Sequence, residues 1–326
     1  MTGKKKCSSD LDVPLVSVVC LAYNHAKFVR QALDSILGQK TTFRYEIIVQ
    51  DDASTDGTQD IIKEYAVRNP GIVVPVFHER NLYSTGVGQL ALACKHAKGE
   101  YIAICECDDW WLDDAKLERQ VDYLSKNPEC SLCFTNAVKY DQDSGKFQNN
   151  MLPAFNIEKK ILKKERIELP DFDRLNFIPT ASMVFRRCDY EKRPVLTKSA
   201  FQGDRFLQVY LLTCGYAHYI DEVCSVWRVG NPESVTAKWN ADLERRKTSV
   251  ARFKEMYIEL GQFFDGRYDA VFEKRIAHYD IELLYLENKQ RELRNPYYLR
   301  LKRKEGLRPF LKYLYFAYKP QKAEKR

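Results

Sequence analysis

The strongest constraint on this chain is a repeated one: apolar runs of strand length that stop abruptly at polar or acidic loops. The most telling is Ile102-Ala103-Ile104-Cys105-Glu106-Cys107-Asp108-Asp109-Trp110-Trp111. Its apolar, β-branched start reads as a buried strand. It ends in three carboxylates within four positions. An unpaired buried carboxylate is costly, so such a cluster does not serve a strand's stability. At the C-terminal tip of a strand in an open α/β sheet, the same groups lie where ligands bind. Their oxygens suit a hard divalent cation that also holds substrate phosphates. The plainer alternative is a turn that caps the next helix. Asp113 and Asp114 already stand in capping position before Lys116-Leu117, which leaves Glu106 and Asp108 for other work.

The preceding chain alternates strand and helix. Leu15-Val16-Ser17-Val18-Val19-Cys20-Leu21 is a continuous apolar run, as in a central parallel strand. Ala22-Tyr23-Asn24-His25 breaks it, and a helical pattern follows over 27–37 with Phe28, Ala32, Leu33, Ile36 and Leu37 on one face. A second strand, Tyr45–Gln50, ends at Asp51-Asp52-Ala53-Ser54-Thr55-Asp56-Gly57-Thr58 and leads into a helix near 59–68, closed by Asn69-Pro70-Gly71. A third short strand covers 72–77, and a helix is expected over 88–97. This alternation predicts a doubly wound sheet. In such a sheet the three tips, at Tyr23, Asp51-Asp52 and Glu106/Asp108/Asp109, share one edge and can surround one ligand. Neither G-x-G-x-x-G nor G-x-x-x-x-G-K-[ST] follows the first strand, so a phosphate here falls to a metal ion or to isolated basic side chains.

These motifs, in this order and spacing, resemble a family 2 glycosyltransferase with the GT-A fold: an α/β, doubly wound mixed sheet flanked by helices. The resemblance rests on Val16-Ser17-Val18-Val19 with Ala22-Tyr23-Asn24, and on Ile48-Val49-Gln50 with the Asp51–Thr58 loop. It extends through Gly99-Glu100-Tyr101-Ile102-Ala103, Glu106-Cys107-Asp108-Asp109-Trp110-Trp111 and Lys116-Leu117-Glu118-Arg119-Gln120-Val121, and runs from about Val13 to Ser234. It implies that Tyr23 stacks on a nucleotide base and that Asp52 hydrogen-bonds that base. Ala22, Asn24 and Ser54 complete the nucleotide loops. Glu106-Cys107-Asp108 stands for the family's D-x-D motif, which positions the ribose and a metal-bound diphosphate. Glu replaces Asp at its first position, and Asp108 is the expected ligand of Mg2+ or Mn2+. Phe201-Gln202-Gly203-Asp204-Arg205 places an acid at the mouth of an amphipathic helix, where Asp is also a good N-cap. In the family the matching acid is the general base, so Asp204 is the expected catalytic residue of an inverting transfer. Val226-Trp227-Arg228-Val229-Gly230-Asn231-Pro232-Glu233-Ser234 resembles the closing segment, with Gly230 or Asn231 where a histidine is common. Arg228 is expected either to pair with diphosphate oxygens or to form an internal salt bridge.

The implied activity moves a sugar from a nucleotide-diphosphate donor, UDP-linked by preference, to a hydroxyl of a glycan or lipid-linked glycan. A non-catalytic nucleotide-sugar binding or scaffold protein is a second reading, opposed by the intact acids at 52, 108 and 204. A nucleotidyltransferase is a third, opposed by the missing glycine-rich basic loop.

The 326 residues suit one large α/β unit with an appendage. A lead-in of 1–13 is expected to be disordered, and 14–236 to form the catalytic domain, with 14–127 its nucleotide-sugar half and 128–236 its acceptor half. A further strand is expected at 128–136, a mobile surface excursion at 140–170, and a return to apolar alternation at 178–186. Ten cysteines without an apolar leader of signal length, and without a second pair at zinc spacing, read as core filler in a reducing, cytoplasmic setting. No window approaches the ~18 apolar residues of a membrane span. The remaining 237–326 is expected to be a helical, basic-aromatic extension. Residues 291–326 carry twelve Lys/Arg against three Glu, or +9, which leaves −2 for the rest of a chain of net charge +7. Interleaved with Tyr297, Tyr298, Phe310, Tyr313, Tyr315, Phe316 and Tyr318, these charges suit peripheral contact with an anionic inner membrane face. Packing on the catalytic domain and dimer formation are equal alternatives. No recognition motif accompanies the charge to suggest nucleic acid.

Overall fold

A computed structural model describes residues 13–86, 88–153, 156–175, 177–197, 203–230, 242–287 and 289. Among them the strands are β1 (Val16–Ala22), β2 (Tyr45–Asp51), β3 (Val73–Phe77), β4 (Tyr101–Ile104), β5 (Trp110–Trp111), β6 (Cys130–Asp141), β7 (Lys146–Asn150), β8 (Val184–Arg186) and β9 (Tyr216–Val229). They form one sheet in the order β3-β2-β1-β4-β8-β6-β9-β5, with β7 paired to β6. β3, β2, β1 and β4 are mutually parallel. β8 runs antiparallel between β4 and β6, and β6 pairs in parallel with β9. The sheet is therefore mixed.

The apolar runs fold as they do because both faces of the sheet are covered. Val16, Val18, Val19 and Cys20 on β1, and Ile47, Ile48 and Val49 on β2, are fully buried, and each such aliphatic chain contributes about 1.5–3 kcal/mol. Helix Val29–Leu37 returns Val29, Ala32, Leu33 and Ile36 to that core. Chain order reverses at β1, since β2 lies on one side of it and β4 on the other. That reversal opens a crevice beyond the C-terminal tips of the strands. Gly99 at the foot of β4 permits the close pairing, because a Cβ there would lie 2.5 Å from the Ser17 backbone nitrogen.

Several expectations need correction. The stretch 140–170 is not a featureless excursion: it holds β7 and helices Asn156–Leu162 and Leu169–Leu175. The expected helix at 88–97 is a short α-helix, Gln89–Ala93, continued by a 3-10 turn. β6 runs on to Asp141, and the 14-residue β9 went unread apart from its end. Before helix Lys116–Lys126, Asp113 accepts from the Ala115 backbone at 2.9 Å. Asp114 instead pairs with Lys40 at 2.6 Å, and the side chain of Gln39 accepts from the Leu117 backbone at 3.0 Å. The capping is thus shared with another element.

The described residues fall into two compact units, one of 13–194 and 203–230, the other of 195–197 and 242–289. The second is built on helices Leu243–Phe263 and Asp269–Leu286, which meet through contacts such as Tyr257 on Phe272, with ring centroids 5.6 Å apart. Asp242 caps the first helix by accepting from the backbones of Glu244 and Arg245. Among the described residues no helix is long and apolar enough to cross a membrane. The basic-aromatic stretch at 291–326 lies outside the described residues, as does Asn231. Nine cysteines are described, all of them free, and seven of these are buried as core.

Candidate active site

Two loops build the nucleotide side of the crevice by exchanging side-chain and backbone bonds. The first follows β1. Ala22, its last residue, is buried, and its carbonyl accepts from the Asp52 backbone at 3.0 Å. Tyr23 comes next and is 45% exposed, so an apolar ring faces solvent at a strand tip. Asn24 has φ 57°, a left-handed conformation that asparagine tolerates better than most residues. That turn aims the backbone amides of 24–26 at the second loop. The Ser54 hydroxyl accepts from the Asn24 amide at 2.8 Å, Thr58 accepts from His25 at 2.9 Å, and Asp56 accepts from Ala26 at 2.9 Å. In return the Asn24 side chain accepts from the Thr55 amide at 2.9 Å. The small, hydroxylated and acidic residues of 51–58 are therefore the partners that shape the first loop.

Asp52 is buried at the tip of β2. One carboxylate oxygen accepts from the Leu82 amide at 2.8 Å and the other from Tyr83 at 2.9 Å. Asp52 thus fixes the 81–85 segment against Tyr23's loop, and among the described residues its two oxygens accept one bond each. Its neighbour Asp51 turns inward and accepts from Ser54 and Gln59.

β4 delivers the acid loop. Parallel pairing of β1 and β4 continues past the strand ends, where the Cys107 amide donates to the Leu21 carbonyl at 3.0 Å. Cys107 is buried in the core, so Glu106 and Asp108 on either side of it turn the other way and are part-exposed. Burial and the neighbouring carboxylates Asp108 and Asp204 push the Glu106 carboxyl up to about 8. The charge of Asp204 therefore reaches the acid loop, although the two are almost a hundred residues apart in the chain. Among the described residues Asp108 meets one side-chain partner, His25, whose Nε2 lies 3.8 Å from Oδ2.

Asp109 has a different job. It is buried and accepts from the Arg228 backbone at 2.9 Å, while burial and then Asp108 and Glu106 push its carboxyl well above the usual range. Arg228 itself is a brace. Its Nε donates to the Asp108 carbonyl at 2.7 Å, one Nη to Gln31 at 2.7 Å and the other to Gln142. Its guanidinium lies over Phe28 and Trp110, 4.4 and 4.6 Å from the ring centroids. Each nitrogen of the side chain is thus committed within the chain. In place of the expected internal salt bridge, the guanidinium meets a backbone carbonyl and two side-chain amides.

Asp204 is exposed at the start of helix Asp204–Cys214, whose N-cap is Gly203. It is the first helical residue rather than the cap. Thr180 donates to its Oδ2 at 3.2 Å. The 3-10 turn that carries Thr180 is tied to the acid loop, since the Trp111 indole donates to the Ala181 carbonyl at 2.8 Å.

Glu106 and Asp108 have no hydrogen-bond donor among the described side chains apart from what His25 offers. Two such carboxylates at a strand tip are the donor set a divalent cation neutralises, so the residues fit Mg2+ or Mn2+. Among the described residues no group of three or more His, Cys, Asp or Glu converges on one point, so the chain supplies a partial shell. Two participants, His25 and Thr180, escaped the sequence reading, and Asp109, read there as one of the acids around the ligand, instead holds the β9 backbone. Only His25 carried a signal, by adjoining Tyr23-Asn24.

Comparison with known proteins bears on this geometry. The uncharacterized protein Rv1520 of Mycobacterium tuberculosis is 33% identical over 214 residues, covering 65% of this chain and 58% of that protein. The chain thus spans little more than half the length of this relative. S. aureus TarS in complex with UDP-GlcNAc superposes with a TM-score of 0.57 at 15% identity, over 93% of this chain and 87% of that one. The mannosyltransferase PcManGT from Pyrobaculum calidifontis, in complex with GDP-Man and Mn2+, superposes with a TM-score of 0.57 at 18% identity, over 94% and 84%. The mixed sheet flanked by helices is the GT-A fold. The family description "Glycosyl transferase family 2" matches residues 17–192, more than half of the sequence, and the chain belongs to that family.

Proposed function

We propose that the protein transfers a sugar from a nucleotide-diphosphate donor, UDP-linked, to a hydroxyl of a glycan or lipid-linked glycan, with inversion at the anomeric carbon. The carrying observation is that the acid loop, whose Cys107 amide donates to the Leu21 carbonyl beside Tyr23, is tied through the Trp111 indole to the turn whose Thr180 donates to Asp204. Acids from both halves therefore serve one site. Tyr23 offers its exposed ring to the base, and Asp52 receives the base's N–H while holding the 81–85 segment. Ala22, Asn24 and Ser54 keep the two loops in register. Glu106 and Asp108, on either side of the buried Cys107, face the ribose and diphosphate, with Asp108 as the anchor for Mg2+ or Mn2+. When bound, that ion neutralises the charge that develops on the leaving diphosphate. Asp204 takes the proton from the acceptor hydroxyl, whose oxygen forms the new bond to the anomeric carbon as the bond to the diphosphate breaks. A nucleoside diphosphate leaves, and no covalent enzyme intermediate forms. Thr180 holds the carboxylate of Asp204 in orientation, and Arg228 holds the acid loop from behind.

The test is a panel of UDP- and GDP-sugars with and without Mn2+, scored by thermal stabilisation and by nucleotide release. Asp204→Asn should keep donor affinity and lower turnover ~10²–10⁴-fold, the usual contribution of a positioned base. Normal turnover in that variant would reduce Asp204 to a favourable charge at a helix start.

A further inference from the structure

We infer that His25 is a nitrogen ligand to the divalent cation anchored by Asp108, and that this imidazole biases the site toward Mn2+ over Mg2+. The inference rests on the donor-site reading above.

Three observations converge on it. The first is proximity: Nε2 of His25 lies 3.8 Å from Oδ2 of Asp108. That separation is too long for a hydrogen bond, yet it places a ring nitrogen and a carboxylate oxygen on two sides of one small space. The second is the unsatisfied state of the ring. Nδ1 is buried and has no hydrogen-bond partner. A buried polar atom left unpaired costs about 1–3 kcal/mol. With Nδ1 turned inward and unpaired, Nε2, which faces Asp108, is the ring nitrogen open to a ligand. The third is pre-organisation. The His25 amide is held by Thr58 at 2.9 Å, its carbonyl accepts from Phe28 and Val29 at 2.9 Å, and its ring packs near Phe28. The backbone that carries the imidazole is thus fixed on both sides, at the tip of β1 beside the tip of β4.

The chemistry follows from the donor set. Carboxylate and phosphate oxygens alone suit Mg2+, which dehydrates reluctantly. One imidazole nitrogen in the shell shifts preference toward later divalent ions such as Mn2+. His25 would thus set which cation the transferase uses.

The experiment uses the full chain with Mn2+ and UDP as probe. Pulsed electron paramagnetic resonance of the bound Mn2+ should show a histidine nitrogen coupling, confirmed by selective ¹⁵N-histidine labelling. His25→Gln replaces the nitrogen by an amide oxygen of similar reach. It should still bind Mn2+ with UDP, lose the nitrogen coupling, and lower the ratio of Mn2+ to Mg2+ affinity by at least about tenfold. Asp108→Asn should abolish cation-dependent UDP binding altogether. A wild-type Mn2+–UDP complex without nitrogen coupling overturns the assignment, as does an unchanged affinity ratio in His25→Gln. Such a result leaves the donor site intact. If the wild-type protein binds neither UDP nor GDP with Mn2+, the donor-site reading itself fails, and this assignment with it.

Discussion

Replacing Lys116 by Met should make the protein more stable. Lys116 opens helix Lys116–Lys126, is fully buried, and its Nζ has no hydrogen-bond partner. Its charged neighbours offer little, because Cys105 and Cys133 are themselves pushed by burial toward the neutral thiol. Burial lowers the ammonium from 10.5 to about 8. A depression of that size corresponds to about 3 kcal/mol against the charged form at neutral pH. One contact offsets it: the ammonium sits 4.2 Å from the Trp111 ring centroid, and a desolvated cation–π contact returns about 2 kcal/mol. A net cost of about 1 kcal/mol remains. Methionine fills similar space without a charge, so Lys116→Met should gain about that amount at pH 7.

The pH dependence has a definite sign. Burial alone puts folded Lys116 near 8, and the ring contact brings it back toward the unfolded value near 10.5 without reaching it, so between the folded and unfolded values the unfolded chain binds more protons and stability rises with pH. The penalty is fully present below the lower value and gone above the upper one. The gap of about 1 kcal/mol between variant and wild type should therefore close as the pH rises toward 10.5. Urea unfolding followed by circular dichroism at pH 7, 8.5 and 10 tests this through midpoints at unchanged slope. A variant less stable than wild type by more than about 1 kcal/mol at pH 7, or a gap indifferent to pH, would refute the reasoning.

Two further outcomes separate competing roles. Arg228→Lys keeps the charge but loses the planar fork. If Arg228 is a brace, unfolding should be easier by about 1–3 kcal/mol, since the Asp108 carbonyl and Gln31 lose the donors that the guanidinium gives them; loss of UDP affinity with stability untouched would instead make Arg228 a diphosphate ligand. The +9 stretch from 291 onward is expected to hold the protein on anionic vesicles through about 1 kcal/mol per basic residue near the surface. Removing the residues after Glu292 should abolish salt-sensitive co-sedimentation and spare donor hydrolysis, whereas equal sedimentation of both forms would make the tail a packing or dimer element.

How much of this was legible in the sequence depended on whether a signal was local. β1, β2 and β4 were readable because each is a short, continuously apolar run, and the acid tips were readable because carboxylates have no business at the end of a buried strand. β9 was not. Its burial alternates at both ends but breaks at Asp221 and Glu222, where the pairing with β6 shifts register between Thr135 and Ala137. A bulge destroys the period on which a strand is recognised. Thr180 was unreadable for a different reason: its partner Asp204 lies 24 residues away on a helix whose placement no local pattern fixes.

Arg228 shows how one residue can be ambiguous in sequence and definite in space. Antiparallel pairing sets Trp110 opposite Val226, so Arg228, two positions further along β9, emerges beside the acid loop on the same face as Val226. From there its backbone meets Asp109 and its guanidinium meets the Asp108 carbonyl. The end of β9 thus stiffens the acid loop from behind. This division of labour explains why three carboxylates can sit within four residues without unfolding the tip. Asp109 is spent on the backbone of β9, Glu106 is shifted toward its neutral form by burial, Asp108 and Asp204, and Asp108 is left with a carboxylate oxygen 3.8 Å from His25. The proposed cation would supply the counter-charge to Asp108 and Glu106 together with no rearrangement of the brace behind them.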